Sequence, residues 1–239
     1  MKNKFFKQHL CLDGETPSFR KTETVTKAKR QKGMIINMEK GLLIVISGPA
    51  GSGKGTVNAQ LLQTGDFAFS VSATTRAPRP GEVDGVNYYY ITHEEFEKRI
   101  ASGDMLEYTS YVGNYYGTPR KEAEAVLASG KNLILEIEVD GATQVKSKFP
   151  EAVLIMLLPP DFATQESRLR GRGTETEDKI LGRLAQTREE LKHLDIYDYI
   201  VYNETGKSDV CRDDILSIIH AEKLARRRNP EAEKKYFGE

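Results

Sequence analysis

GPAGSGKGT, Gly48 to Thr56, is the stretch on which the fold turns, together with the apolar run LLIVI, Leu42 to Ile46, just before it. The run shows no polar alternation, the pattern of a strand buried on both faces. The loop that follows adds Gly51, Gly53 and Gly55 to Gly48. Lacking Cβ atoms, these residues let the backbone turn its N–H groups inward around an anion. Past Lys54, the residues Val57, Leu61 and Leu62 recur at helical spacing. A helix therefore starts at the loop and points its positive dipole end at the anion. Strand, Gly48-x4-Gly53-Lys54 and helix together make a P-loop, in which Pro49, Ala50 and Ser52 complete the cradle and Lys54 lies along the β/γ-phosphates of a nucleotide. The residue after the lysine is Gly55, and the hydroxyl comes one place later, at Thr56. Magnesium is thus expected to be held through waters and nucleotide oxygens, with no direct protein ligand assigned.

Outward from the loop, Ser70–Ile91 carries Arg76 and Arg79 around Pro78 and Pro80, so it reads as extended chain. THEEFEKRI opens a helix with a Thr92–Glu95 capping box and an apolar stripe of Phe96 and Ile100, ended by Gly103. His93, in its first turn, reads as a solvated residue, with no His or Cys near it at metal spacing. Met105–Pro119 is aromatic and turn-rich, consistent with two short antiparallel strands. KEAEAVLAS is a helix stopped by Gly130, and Leu133–Val139 a buried strand carrying Glu136 and Glu138. Ala152–Leu158 is a core strand, after which Asp161 caps the next helix. A second capping box, Thr174 with Glu177, opens a long amphipathic helix through Ile180, Leu184, Leu191 and Leu194. Tyr199–Asn203 is a last strand and Val210–Leu224 a last helix. The basic run Lys223–Arg228 reads as a solvated helix end. This order predicts an α/β three-layer P-loop fold, a parallel sheet with helices on both faces and substrates at the carboxyl ends of its strands.

Charge is unevenly spread along the 239 residues. Residues 1–33 hold nine Lys/Arg against three Asp/Glu, and the remainder 26 against 32. The first stretch, with little periodicity, reads as a disordered basic extension, Met34 or Met38 being alternative starts. The acidic balance of the rest argues against a nucleic-acid-binding body. No apolar run approaches the ~18 residues of a membrane span, and residues 1–10 lack the apolar core of a secretory signal. Two cysteines, Cys11 and Cys211, are too few and too far apart for a zinc site or a disulfide framework, which suits a reducing, cytoplasmic compartment.

Three further polar clusters ask for a chemical role. Arg76 and Arg79 with Tyr88 and Tyr116 combine guanidinium forks with neutral donors, a set matched to phosphate oxygens. Arg168 and Arg172 stand four apart on one helix, with Arg183 beyond, and would repel one another unless an anion or a carboxylate lay between them. Glu107 and Glu138 are acidic residues in apolar or aromatic surroundings, so each should face a donor.

TTRAPRPGEVDGVNYYY, LEY…GNYYGTP, LEIEVDGA and RLRGRGTE, in this order after GPAGSGKGT, resemble the guanylate kinase family over about residues 41–225. The resemblance implies a P-loop core (41–72 and 120–225), a small mixed α+β GMP-binding insertion (73–119) and an arginine-rich lid (about 161–184). It puts the GMP phosphate on Arg76, Arg79, Tyr88 and Tyr116, with Glu82 in the same site. Guanine falls to Ser72, Glu107 and Thr118, with Glu138 nearby. ATP phosphates fall to the loop and Lys54, and the adenine side to Asn203. Arg168, Arg172 and Arg183, with Arg76 and Lys54, surround the transferring group. The chain departs from the common pattern at Thr118, where Ser is frequent, at Glu138, where many members have Asp, and at Asp140, where many have Gln. The implied activity is in-line phosphoryl transfer from Mg²⁺–ATP to GMP, and to dGMP. The alternative is a non-catalytic guanylate-kinase-like module that binds protein partners, against which the intact Lys54 and lid arginines argue. Oligomeric state is left open. A GTPase switch is a poorer reading still, since Lys207-Ser208-Asp209 follows Gly206 and not the Asn or Thr that a guanine-reading motif needs.

Overall fold

The apolar run before the loop is used on both of its faces. In the computed structural model, which describes residues 40–173 and 175–238, β1 (Leu43–Ser47) is buried throughout. It is followed by α1 (Lys54–Gln63), β2 (Phe67–Phe69), β3 (Ala73–Thr74), β4 (Tyr89–Tyr90) and α2 (His93–Ala101). Next come β5 (Met105–Tyr111), β6 (Asn114–Pro119), α3 (Arg120–Ala128), β7 (Asn132–Leu135), α4 (Val139–Lys148) and β8 (Val153–Leu158). The chain closes with α5 (Phe162–Gly171), α6 (Glu177–Glu190), β9 (Tyr199–Tyr202), α7 (Ser208–Leu224) and α8 (Ala232–Phe237). Five strands form a parallel sheet in the order β2-β7-β1-β8-β9.

Side chains alternate across this sheet with the period of a strand. Ile44 and Ile46 join Val57 and Leu61 of α1 and Cys211, Ile215 and Ile219 of α7. Leu43 and Val45 join Ala123 and Leu127 of α3 and Ala142 and Val145 of α4. Two cores on one sheet make the three-layer α/β arrangement that the buried run predicts. Ile44 is fully buried, and truncating it to Ala would destabilise the protein by roughly 2–5 kcal/mol.

The segment between β2 and α3 builds a second sheet of four strands, ordered β4-β3-β6-β5. β5 and β6 are the antiparallel pair expected from Met105–Pro119. Thr92 caps α2 by accepting from the Glu95 N–H at 3.1 Å, and Phe96 of that helix stacks on Tyr115 with ring centroids 5.1 Å apart. Gly103 and Gly130, with φ of 72° and 85°, follow α2 and α3 in the left-handed conformation that ends a helix. Asp161 caps α5 by accepting from the Thr164 N–H at 2.6 Å. α5 and α6 then pair through Leu169, Ile180 and Leu184, with Ala50 of the loop against them.

Several local expectations are corrected. β7 ends at Leu135, because Glu136 and Glu138 are exposed beyond the sheet edge and Val139 already starts α4. The long helix stops at Glu190 and continues only as a 3-10 turn, Leu191–Ile196, broken at His193. Thr176 stands at the N-cap of α6, and Thr174 lies outside the described residues. The basic run is not simply solvated. Arg227 and Arg228 turn back onto Glu222, which is 3% exposed and also accepts from the Tyr199 hydroxyl at 2.6 Å. Burial works against the charge on Glu222, yet Tyr199, Arg228 and Arg227 outweigh it and hold the carboxyl below the usual range. Cys211 is a free, buried thiol, and among the described residues no helix is long and apolar enough to cross a membrane. The extension, residues 1–33, and Cys11 lie outside the described residues.

Candidate active site

β1 delivers the chain to the carboxyl edge of the sheet, where six residues turn it into α1. Glycine is required at two of them. A Cβ on Gly48 would lie 2.1 Å from the Leu157 carbonyl oxygen, and one on Gly53 2.3 Å from Asn203 Nδ2. Gly51 and Gly53 also hold φ of 87° and 92°. Ser52 is fully buried, and Pro49 is buried beside it. Gly55 and Thr56 face solvent in the first turn of α1, which carries no acidic side chain to compete for an anion. Lys54 folds its ammonium back over this turn, donating to the carbonyls of Gly48 and Pro49. Burial lowers the Lys54 pKa, Glu136, Glu190 and Glu138 oppose that, and Arg172 adds to it. A partly desolvated ammonium resting on two neutral carbonyls is poised for a stronger acceptor.

Two cavities flank the loop. The first, about 310 Å³, is lined by Lys54, Glu136, Glu138, Arg183, Gln186 and Glu190. Asn58 donates to Glu136 at 2.8 Å, and Glu138 sits exposed at the N-cap of α4, not inside a strand as expected. Glu190 is half-buried, and burial together with Glu138 raises its pKa while Gln186 and Lys54 act against the rise. The second cavity, about 410 Å³, is lined by Gly53, Thr56, Arg168, Arg172, Asn203 and Thr205. Asn203 is buried and donates to the Ser52 carbonyl at 2.8 Å, so its amide already braces the loop.

Of the three arginines nominated on α5 and α6, Arg168 finds neutral acceptors and Arg183 a carboxylate. Arg168 donates to the carbonyls of Gly51 at 3.2 Å and Asn203 at 2.8 Å, and to Thr205 Oγ1 at 3.2 Å. Arg183 pairs with Glu175 at 2.7 Å. Arg172 stands exposed at the C-cap of α5.

In the second sheet, the structure brings Arg76, Glu82, Tyr88 and Tyr116 together. The guanidinium of Arg76 meets both Glu82 oxygens at 3.0 Å and lies 5.6 Å from the centre of the Tyr88 ring, and that ring in turn meets Tyr116 edge-on at 6.1 Å. The Arg79 N–H donates to Glu82 at 2.7 Å, while the Arg79 side chain is exposed. Tyr90, not singled out by the sequence, donates its hydroxyl to Glu82 at 2.8 Å and lies under Arg76 with its ring centre 5.9 Å away. The Arg79 N–H, then Tyr90 and Arg76, hold the Glu82 pKa at about 2, so this carboxylate stays charged and keeps Arg76 oriented.

Glu107 sits on β5 opposite Thr118 on β6, beside a register shift in the pairing. It is 4% exposed and accepts from Thr118 Oγ1 at 2.7 Å. Burial raises its pKa, with Thr118 and then Lys148 moderating the rise. Its other oxygen points at α4, where a Cβ on Gly141 would stand 3.1 Å away. Ser72, half-buried, leads into β3.

Glu175, Glu190, Tyr90 and Gly141 are thus site residues that sequence reasoning missed. Gly141 had a legible signal, a glycine inside the quoted LEIEVDGA stretch, and the others had none before their partners were located. His93 is exposed in the first turn of α2, with its ring centre 5.5 Å from that of Tyr115.

The family model described as guanylate kinase matches residues 40–219. A guanylate kinase of Oceanobacillus iheyensis is 49% identical over 191 residues, covering 80% of this chain and 92% of its own length. One of Halalkalibacterium halodurans is 51% identical over 191 residues, covering 80% and 93%. The crystal structure of guanylate kinase from Anaplasma phagocytophilum superposes with a TM-score of 0.61 at 32% identity, covering 80% of this chain and 90% of that one.

Proposed function

The chain belongs to the guanylate kinase family and is an ATP:GMP phosphotransferase, and we propose that it works by clamping two nucleotides between the loop, the second sheet and the α5–α6 pair. The observation that carries this reading is the 310 Å³ cavity, where Lys54 from the loop and Arg183 from α6 line one space. ATP is bound with its phosphates in the turn from Gly48 to Thr56, at the N-terminus of α1, and its base toward Asn203. Lys54 exchanges the carbonyls of Gly48 and Pro49 for phosphate oxygens. GMP is bound on residues 73–119, its phosphate on Arg76, Arg79, Tyr88 and Tyr116, with Glu82 fixing the Arg76 fork. Its base is read by Glu107, supported by Ser72 and Thr118, with Glu138 at the edge of the same space. dGMP presents the same base and phosphate and is a second acceptor.

Transfer then needs no covalent intermediate, only alignment and charge screening. Arg168, Arg172 and Arg183 screen the transferring group, and arginines so placed are worth roughly 10³–10⁵ in rate. Closure of residues 161–184 over the loop expels water and suppresses hydrolysis. The donor set fits a hydrated magnesium ion: the hard carboxylate oxygens of Glu138 and Glu190 line the cavity beside Lys54, and among the described residues no three such side chains gather into an all-protein cage. Bound with ATP, magnesium would supply charge neutralisation for the phosphates. A cytoplasmic setting accords with the free thiol of Cys211.

A phosphate-acceptor panel of GMP, dGMP, AMP, CMP and UMP with Mg²⁺–ATP tests this reading, coupled to ADP release. Turnover confined to GMP and dGMP is the expected result. Tight GMP binding without turnover would favour the protein-binding module.

A further inference from the structure

The residues assigned to phosphoryl transfer come from two separate pieces of chain, the loop after β1 and the α5–α6 pair. Something must hold these in register to within a few tenths of an ångström, since misplacement of a reacting group by about 1 Å can lower a rate by roughly 10². Apolar packing of Leu169, Ile180 and Leu184 against Ala50 joins them, but leucine ridges alone leave room for sliding.

A chain of hydrogen bonds crosses the same junction. Gln165, on α5 and 1% exposed, donates from Nε2 to the Ala50 carbonyl at 2.9 Å and to Thr187 Oγ1 at 2.7 Å. Thr187, on α6 and 3% exposed, donates onward to the Arg183 carbonyl at 2.9 Å. The carbonyl of Ala50 can only accept, which fixes the orientation of the Gln165 amide. The Thr187 hydroxyl then receives from Gln165 and gives to Arg183, so both of its roles are used. One turn along α5, Arg168 donates to the next carbonyl of the loop, that of Gly51. A Cβ on Gly51 would touch Gln165 Cγ at 3.5 Å, so the loop and this side chain are in contact as well as bonded. Burying a primary amide is unfavourable unless its donors are used, and here they are used on the loop and on α6.

We propose that Gln165 and Thr187 are positioning residues for phosphoryl transfer, setting the backbone of Arg183 at a defined distance from the nucleotide loop. The proposal rests on the role given to Arg183 above. Neither side chain reaches the cavity, so they act on the alignment of the transferring group and not on the binding of either nucleotide.

The test uses the full chain with Gln165→Met, Thr187→Val and Thr187→Ser. Each is combined with Arg183→Ala, and kcat, both KM values and the unfolding temperature are measured. Gln165→Met and Thr187→Val should lower kcat about tenfold with both KM values within about twofold of the parent. Thr187→Ser keeps the hydroxyl and should restore kcat, which also covers the case of a Met variant that folds poorly. In the Arg183→Ala background the Gln165→Met change should lower kcat no further, because its effect runs through Arg183. A lower unfolding temperature with unchanged kcat, or a kcat loss that multiplies with that of Arg183→Ala, would overturn the proposal. An Arg183→Ala enzyme with the parent's kcat would instead overturn the role of Arg183 itself and remove the premise.

Discussion

Replacing Glu107 by Gln tests base recognition at the one carboxylate the second sheet buries. Guanine offers an N1–H and an N2 amino group side by side, both donors, and an ionised carboxylate has two oxygens to receive them. In the structure one Glu107 oxygen already accepts from Thr118 at 2.7 Å, and the carboxylate is only 4% exposed. With Gln, the Thr118 hydroxyl can still donate to the amide oxygen, which places the amide NH₂ where the second oxygen was. That NH₂ faces a guanine donor, so one charge-assisted bond worth about 1.5–3 kcal/mol is lost and the other weakens to a neutral one. The combined loss of about 2–4 kcal/mol corresponds to roughly 30- to 700-fold in kcat/KM for GMP. AMP, which presents a bare N1 lone pair and no C2 amino group, should lose less or gain. Steady-state kcat/KM for both acceptors measures the ratio.

The raised Glu107 pKa adds a control with the sign worked out. A carboxyl whose folded pKa exceeds its unfolded one adds stability below the ordinary carboxylate range, and this is lost as pH rises through the folded value. At neutral pH the buried charge is therefore a burden on the empty protein. Glu107→Gln should leave the ligand-free unfolding temperature level or higher while removing the stabilisation by GMP. The acid limb of kcat/KM for GMP should likewise lie above the ordinary carboxylate range and vanish in the variant. A Gln variant with the parent's GMP-over-AMP ratio would refute the base-reading role, and Glu138 would be tested next.

Lys54→Ala should fold normally and lose roughly 10²-fold or more in kcat, measured beside its circular dichroism, because the loop has no other fixed charge to place on the phosphates. Glu222→Gln should destabilise the protein by about 2 kcal/mol in urea unfolding, since it weakens the acceptor shared by Tyr199, Arg227 and Arg228, of which Arg227 is largely exposed. The depressed Glu222 pKa means its contribution is present above the ordinary carboxylate range and is lost as pH falls through its folded value, so the variant should show a flatter acid limb of stability. Gly141→Ala would put a methyl 3.1 Å from the free Glu107 oxygen and should raise KM for GMP severalfold with kcat for saturating GMP little changed, by steady-state kinetics.

What the sequence by itself determined follows from short-range physics. The unalternating Leu42–Ile46 run and the glycine spacing from Gly48 to Gly53 specify a buried strand, an anion-binding turn and a helix, because those residue types admit few other backbones. Thr92 and Asp161 were legible as caps for the same reason, each bonding an N–H three residues on. The order of the motifs was enough to identify a resemblance to guanylate kinases and so to nominate Arg76, Glu107 and Arg183. Only the tertiary structure decided which partners those charges have. The partners stand nearby in sequence, Glu82 for Arg76, Glu175 for Arg183 and Glu222 for Arg227 and Arg228, but at spacings that neither a helix nor a strand brings together, so the bends of the folded chain choose them. The end of β7 was also decided there, since leaving Glu136 and Glu138 in an apolar strand would strand two charges in the core, and the chain instead exposes them at the cavity rim. Gln165 is the extreme case. Its amide is bonded across 115 residues to Ala50 and across 22 to Thr187, and a contact of that range exists only once the sheet has brought α5 over the loop.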